Sequence, residues 1–158
     1  MAQQESEPLG LKDAMSFALE EARVVVPGIQ ALFGFQLIAV FNNRFDEIFG
    51  EVAQRLHLAA LVLVALSCLL LLTPSAFHRL AGQRHVSETL LKICSRFIGA
   101  GMVPLILAIA IDVGLIAYAV LRSEAAGIAL GTGCLFVGAV LWFVFPRWAR
   151  HLHAQSGS

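Results

Sequence analysis

The chain has 158 residues, of which 58% are hydrophobic and only 14% charged, and its mean hydropathy is +0.79. A soluble domain carries roughly 45–50% apolar and about 25% charged residues, so a soluble globular domain and a disordered chain are both excluded. Lysine plus arginine equals aspartate plus glutamate at 11 each, which leaves no basic excess for gripping nucleic acid phosphates.

Taken in chain order, residues 1–8 are polar and are expected to be disordered. Over residues 9–23, Leu11, Met15, Ala18, Leu19 and Ala22 recur at helical spacing, while Lys12, Asp13, Glu20 and Glu21 fall elsewhere around the helix. That pattern predicts an amphipathic helix lying at the membrane surface or leading into the first span. The acidic residues before the first apolar run outnumber Lys12 and Arg23. A signal peptide has a basic leader, so the first span is expected to be retained.

Four apolar runs follow, at 24–43, 56–73, 97–121 and 125–146. Each approaches or exceeds the roughly 20 residues that a helix needs to cross a bilayer core. The runs are continuous rather than alternating, which excludes the strands of a β-barrel, and backbone groups in lipid must pair within each segment, which makes the spans helices. Pro27 and Pro104 predict kinks in the first and third spans, and Pro74 is expected to end or kink the second. The stretch from Ser87 to Arg96 reads as a further helix leading into the third span, and the short connection 122–124 forces the third and fourth spans into an antiparallel hairpin. The expected fold is therefore all-α: an integral membrane protein, a four-transmembrane-helix bundle with an N-terminal amphipathic helix. One membrane domain covers residues 9–146, with a polar tail at 147–158.

Eight basic residues (Lys12, Arg23, Arg79, Arg84, Lys92, Arg96, Arg147 and Arg150) flank the spans on the side of both termini, and three (Arg44, Arg55 and Arg122) on the other. The positive-inside rule then places both termini in the cytoplasm. Trp142 and Trp148 bracket the cytoplasmic end of the fourth span and Tyr118 lies near the outer end of the third, as interfacial anchors do.

Asp112 is the sharpest chemical feature. It lies close to the middle of the third run, where a carboxylate costs about 2.5–3.5 kcal/mol on insertion scales. Gly101, Leu105, Ala108, Asp112, Leu115 and Ala119 share one helical stripe, and small residues on such a stripe mark a helix–helix contact, so Asp112 is expected to point into the bundle. Three readings stand: a proton- or cation-binding carboxylate, a hydrogen-bonded interhelical clamp, or a span shifted so that Asp112 nears the outer interface. Gln30 and Gln36 are the amides of the first span; six residues apart, they cannot line one face, and Gln36 shares its face with Ile29. Glu20, Glu21 and Arg23 cluster at the cytoplasmic mouth of that span, where Glu20 and Arg23 are spaced to pair. The alternative partner of Arg23 is a lipid phosphate.

In the fourth span Gly127 and Gly131 form a G-x-x-x-G that continues to Cys134 and Gly138 on one stripe. It suits close helix packing, within the chain or between copies. Cys68, Cys94 and Cys134 form no C-x-x-C pair. His57, His78, His85, His151 and His153 lie at no spacing that closes a zinc site, and no hydrolase, phosphate-loop or dinucleotide motif occurs. No catalytic residue, metal or cofactor is therefore expected.

The runs from Glu21 to Phe35 (EARVVVPGIQALFGF), Phe41 to Phe45 (FNNRF) and Thr73 to Arg79 (TPSAFHR), with Arg96-Phe97, resemble a family of small bacterial four-span membrane proteins of unknown function. The likeness covers roughly residues 19–121. Some of its members carry automatic sodium:proton antiporter labels. The resemblance implies a multi-pass protein of the bacterial plasma membrane. Members have no fixed acid at the position of Asp112, which moves weight onto Glu21, Arg23, Gln30, His78 and Arg79. Two functions are expected. One is a proton- or cation-coupled carrier or channel, working as a homo-oligomer because four spans enclose little space. The other is a non-catalytic assembly or regulatory component that docks a protein partner or anionic lipid through its cytoplasmic face.

Overall fold

A computed structural model describes residues 10–80 and 88–148. The expected disorder of residues 1–8, the basic residue Arg84, His85, and most of the tail with Arg150, His151 and His153 lie outside the described residues. The helices are α1 (Leu11–Val40), α2 (Phe45–Ile48), α3 (Glu51–Leu80), α4 (Glu88–Leu121) and α5 (Glu124–Ala139). The chain continues from α5 through one wide π-helical turn, Val140–Val144. Among the described residues there is no strand. Four stretches are long and apolar enough to cross a membrane: Arg23–Val40, Glu51–Phe77, Leu91–Leu121 and Glu124–Trp148.

Several boundaries differ from the sequence expectation. The amphipathic segment and the first span form one uninterrupted helix, α1. The first span stops at Val40 rather than Asn43. There the Asn42 N–H bonds the Ala39 carbonyl, and the Asn42 side-chain oxygen accepts from the Arg44 N–H at 3.0 Å, which turns the chain out of the helix. α3 runs six residues past Pro74 instead of ending there, and α1 and α4 run through Pro27 and Pro104. A proline deletes one donor, and neighbouring helices re-satisfy the loosened turn in a membrane protein. Beside that turn the Ser67 hydroxyl donates to the Gly101 carbonyl at 2.8 Å, one residue beyond the Ala100 carbonyl that Pro104 leaves without its helical donor.

α3 and α4 form the central antiparallel pair. Ser67 meets Gly101, and ten residues back along α3 His57 meets Asp112 on α4. The α3 face that makes this contact is His57, Ala60, Val64, Ser67, Leu71 and Pro74, all buried and all at helical spacing. α1 lies more lightly against the pair and buries Ile29 and Gln36, with Leu32 and Phe33 packed on the same core of Ala60, Val64, Leu71, Leu105 and Ala108.

α5 packs on α4 through glycine. A Cβ added to Gly127 would stand 2.8 Å from the Gly114 carbonyl oxygen, and one at Gly131 would stand 2.9 Å from that of Ala110. Gly138 packs against the Ile106 side chain. Between hydrocarbon-covered helices the driving force is close packing rather than water exclusion, which is why small residues sit here. Gly127, Gly131 and Gly138 thus pack within the chain. Trp142, read from sequence as an interfacial anchor, is partly buried and packs on the core, on a face that continues Gly131–Gly138 by one turn; Trp148 is exposed. The large apolar side chains Phe35, Val120, Ile128 and Phe136 are exposed on the outer faces, where lipid tails would cover them.

The turn between α4 and α5 is two residues long. Arg122 adopts a left-handed conformation, φ 53°, with its N–H on the Tyr118 carbonyl at 2.9 Å. Ser123 then caps α5 by accepting the Ala126 N–H.

Candidate functional site: a polar triangle between three helices

Three polar side chains, one from each of α1, α3 and α4, meet in the packed interior. The Gln36 amide nitrogen donates to Asp112 Oδ2 at 2.7 Å. His57 Nε2 lies 3.0 Å from the backbone carbonyl oxygen of the same Gln36. A carbonyl only accepts, so His57 carries a proton on Nε2. Its other ring nitrogen, Nδ1, faces Asp112 Oδ1 at 3.7 Å. That separation suits an ion pair and must close to about 2.7–3.2 Å for a hydrogen bond. The His57 and Asp112 side chains are 10% and 13% exposed, and Gln36 is 4% exposed.

The charge count follows from this geometry. With Nε2 protonated, a single further proton on the Nδ1–Oδ1 edge leaves the pair neutral, whether the proton resides on the imidazole or on the carboxyl. Removing that proton leaves one net negative charge among apolar side chains, where an unpaired charge is expensive. The Gln36 amide oxygen is buried without a hydrogen-bond partner. Such an orphan acceptor costs about 1–3 kcal/mol.

The triangle lies toward the end of the molecule that holds the short connections, opposite the termini. Asp112 is nine residues from the end of α4, about 14 Å at 1.5 Å per residue. His57 is six residues into α3, about 9 Å. Asp112 is thus off-centre in its helix rather than at the middle, because α4 starts at Glu88, well before the apolar run.

A roof of aromatic rings closes this end. Phe45, buried on the one-turn helix α2, meets the His57 ring edge-on at 5.4 Å between centroids. Phe49 stacks obliquely on Phe45 at 5.2 Å and reaches the Tyr118 ring at 6.5 Å. Gln54 holds the roof down, donating to the Phe49 carbonyl at 2.8 Å and to Asp46 Oδ1 at 3.3 Å.

The other residues singled out from sequence lie elsewhere. Gln30 is exposed, on a different side of α1 from Gln36. Glu20 and Arg23 are exposed, and among the described residues no ion pair joins them. Glu21 lies in the N-terminal half of α1, and His78 and Arg79 in the last turn of α3, at the terminal end and away from the triangle. His57 was missed as a partner of Asp112. The stripe Ala60, Val64, Ser67 and Leu71 extends back to position 57 and shows that it faces inward.

No curated protein and no solved structure matches the chain. The family of unknown function DUF6328 matches residues 11–146, and the chain belongs to that family.

Proposed function

We propose that this membrane protein binds and releases a proton at the Asp112–His57 pair, as the ionisable step of a proton-coupled carrier or channel. One observation carries the reading: two titratable side chains from different helices face each other in a buried site, with Gln36 engaging both. Intramembrane carboxylates and histidines of this kind form proton relays, and histidine is the side chain whose charge changes near neutral pH. Four spans enclose little space, so a transport path needs a second copy to complete its wall. The bias of basic residues supports a cytoplasmic location for both termini, which sets the triangle nearer the outer face; the resemblance to small bacterial membrane proteins supports the plasma membrane of a bacterium.

The test is proton flux into proteoliposomes, read with an entrapped pH-sensitive dye under an imposed gradient. The wild-type chain is expected to exceed protein-free vesicles. Asp112→Asn and His57→Phe are expected to fall to the vesicle background while keeping helical content and a monodisperse profile. Wild-type flux at background, or unchanged flux in Asp112→Asn, overturns the proposal. The first of these outcomes favours the docking role at the cytoplasmic face.

A further inference from the structure

The proton-binding reading leaves open how protons reach a buried pair. We infer that α2 is a lid: Phe45 is the plug that keeps water from the Asp112–His57 pair at the connection end, and Gln54 is its latch. This rests on the functional proposal for its purpose, but not for its test.

Four observations support the lid. Phe45 is a buried aromatic on a helix of a single turn, too short to be stable alone, and its ring lies against the His57 imidazole. The rings of Phe49 and Tyr118 continue the cover from α2 to α4. The hydrogen bonds from the Gln54 side chain to Phe49 and Asp46 tie α2 to α3, and both are within reach of solvent rather than deep in the core. The flanks are built to bend. On one side lies the Asn42 turn; on the other, Phe49 is extended and Gly50 has open space around it. Opening needs the two Gln54 bonds to break and the segment 41–50 to swing, with no helix of the span unwinding. Apolar constrictions that exclude water are an established way to gate a polar path.

The test is water access to position 112. A cysteine-free chain (Cys68→Ala, Cys94→Ala, Cys134→Ala) carrying Asp112→Cys is placed in lipid nanodiscs and labelled with a charged, membrane-impermeant thiosulfonate. A lid whose open state is about 0.1–10% populated slows labelling by that fraction. Phe45→Ala is therefore expected to raise the rate about tenfold or more, Gln54→Ala to raise it less, and Phe45→Leu, which keeps an apolar plug, to leave it near the parent. Glu124→Cys, exposed at the same end, is expected to label equally fast in every background. Equal rates at position 112 in the parent, Phe45→Ala and Gln54→Ala overturn the lid. Should Phe45→Ala fail to fold, Gln54→Ala decides by the same criterion. The two proposals fail separately. Faster labelling without proton flux keeps the lid and removes the proton site, and flux without a change in labelling does the reverse.

Discussion

Gln36 on α1 donates to Asp112 on α4 at 2.7 Å across 76 residues of sequence. Together with the His57 bond to the Gln36 carbonyl, it fixes the lightly packed α1 to the central pair, and it makes Gln36 and Asp112 energetically coupled. Gln36→Leu is expected to destabilise the protein by about 1 kcal/mol, since hydrogen bonds in membrane proteins are individually modest. Combined with Asp112→Leu the loss should be smaller than the sum, with a coupling of about 0.5–2 kcal/mol. A double-mutant cycle of unfolding in mixed micelles measures it; strict additivity would show that the bond contributes nothing.

The glycines of α5 predict a sharp positional contrast. At Gly127 and Gly131 a methyl group meets backbone oxygen within 3 Å, and backbone cannot step aside without moving a helix. Gly127→Ala and Gly131→Ala are therefore expected to cost about 1–3 kcal/mol. Gly133, with nothing within 4 Å, is expected to gain up to about 1 kcal/mol as alanine through helix propensity. Thermal unfolding of the three variants in one detergent ranks them.

Arg122 holds a left-handed conformation that side chains with a Cβ disfavour by roughly 1–2 kcal/mol. Arg122→Gly is expected to raise the unfolding midpoint, and Arg122→Val, with its branched Cβ, to lower it. The same melting assay reads both, and an equal effect of the two substitutions would contradict the backbone explanation.

The Ser67 hydroxyl bonds the Gly101 carbonyl beside Pro104. Ser67→Ala is expected to lose about 1 kcal/mol, and Pro104→Ala, which restores a donor to the Ala100 carbonyl and not to that of Gly101, to leave this loss unchanged. The pair is checked by comparing Ser67→Ala in the two backgrounds.

The spans were legible because bilayer chemistry writes them in composition: a run of apolar residues is continuous or it is not. The inward face of α4 was legible too, since Gly101, Leu105, Ala108 and Leu115 repeat at helical spacing. The partners of Asp112 were only half legible. Gln36 could be placed about 120° around the helix from Gln30 by rotation alone, but which of the two faces the core depends on how α1 packs, and that is a tertiary property. His57 was hidden by its position: near a helix start, an aromatic polar residue resembles an interfacial anchor. The residues that showed otherwise, Ala60, Val64 and Ser67, lie downstream of it. α2 carries too few residues for any periodicity, so the roof over the triangle had no sequence signature beyond the Asn-Asn turn before it.

Gln36 holds its two partners by different means, Asp112 through the side chain and His57 through the main chain. Substitution at this position reaches only the first. Whatever residue stands at 36, its peptide oxygen is still offered to the imidazole. The aim of the histidine is therefore inherited from the path of α1, while the grip on the carboxylate is the part open to sequence change. Variation at position 36 is free to retune the acid without disturbing the orientation of the base.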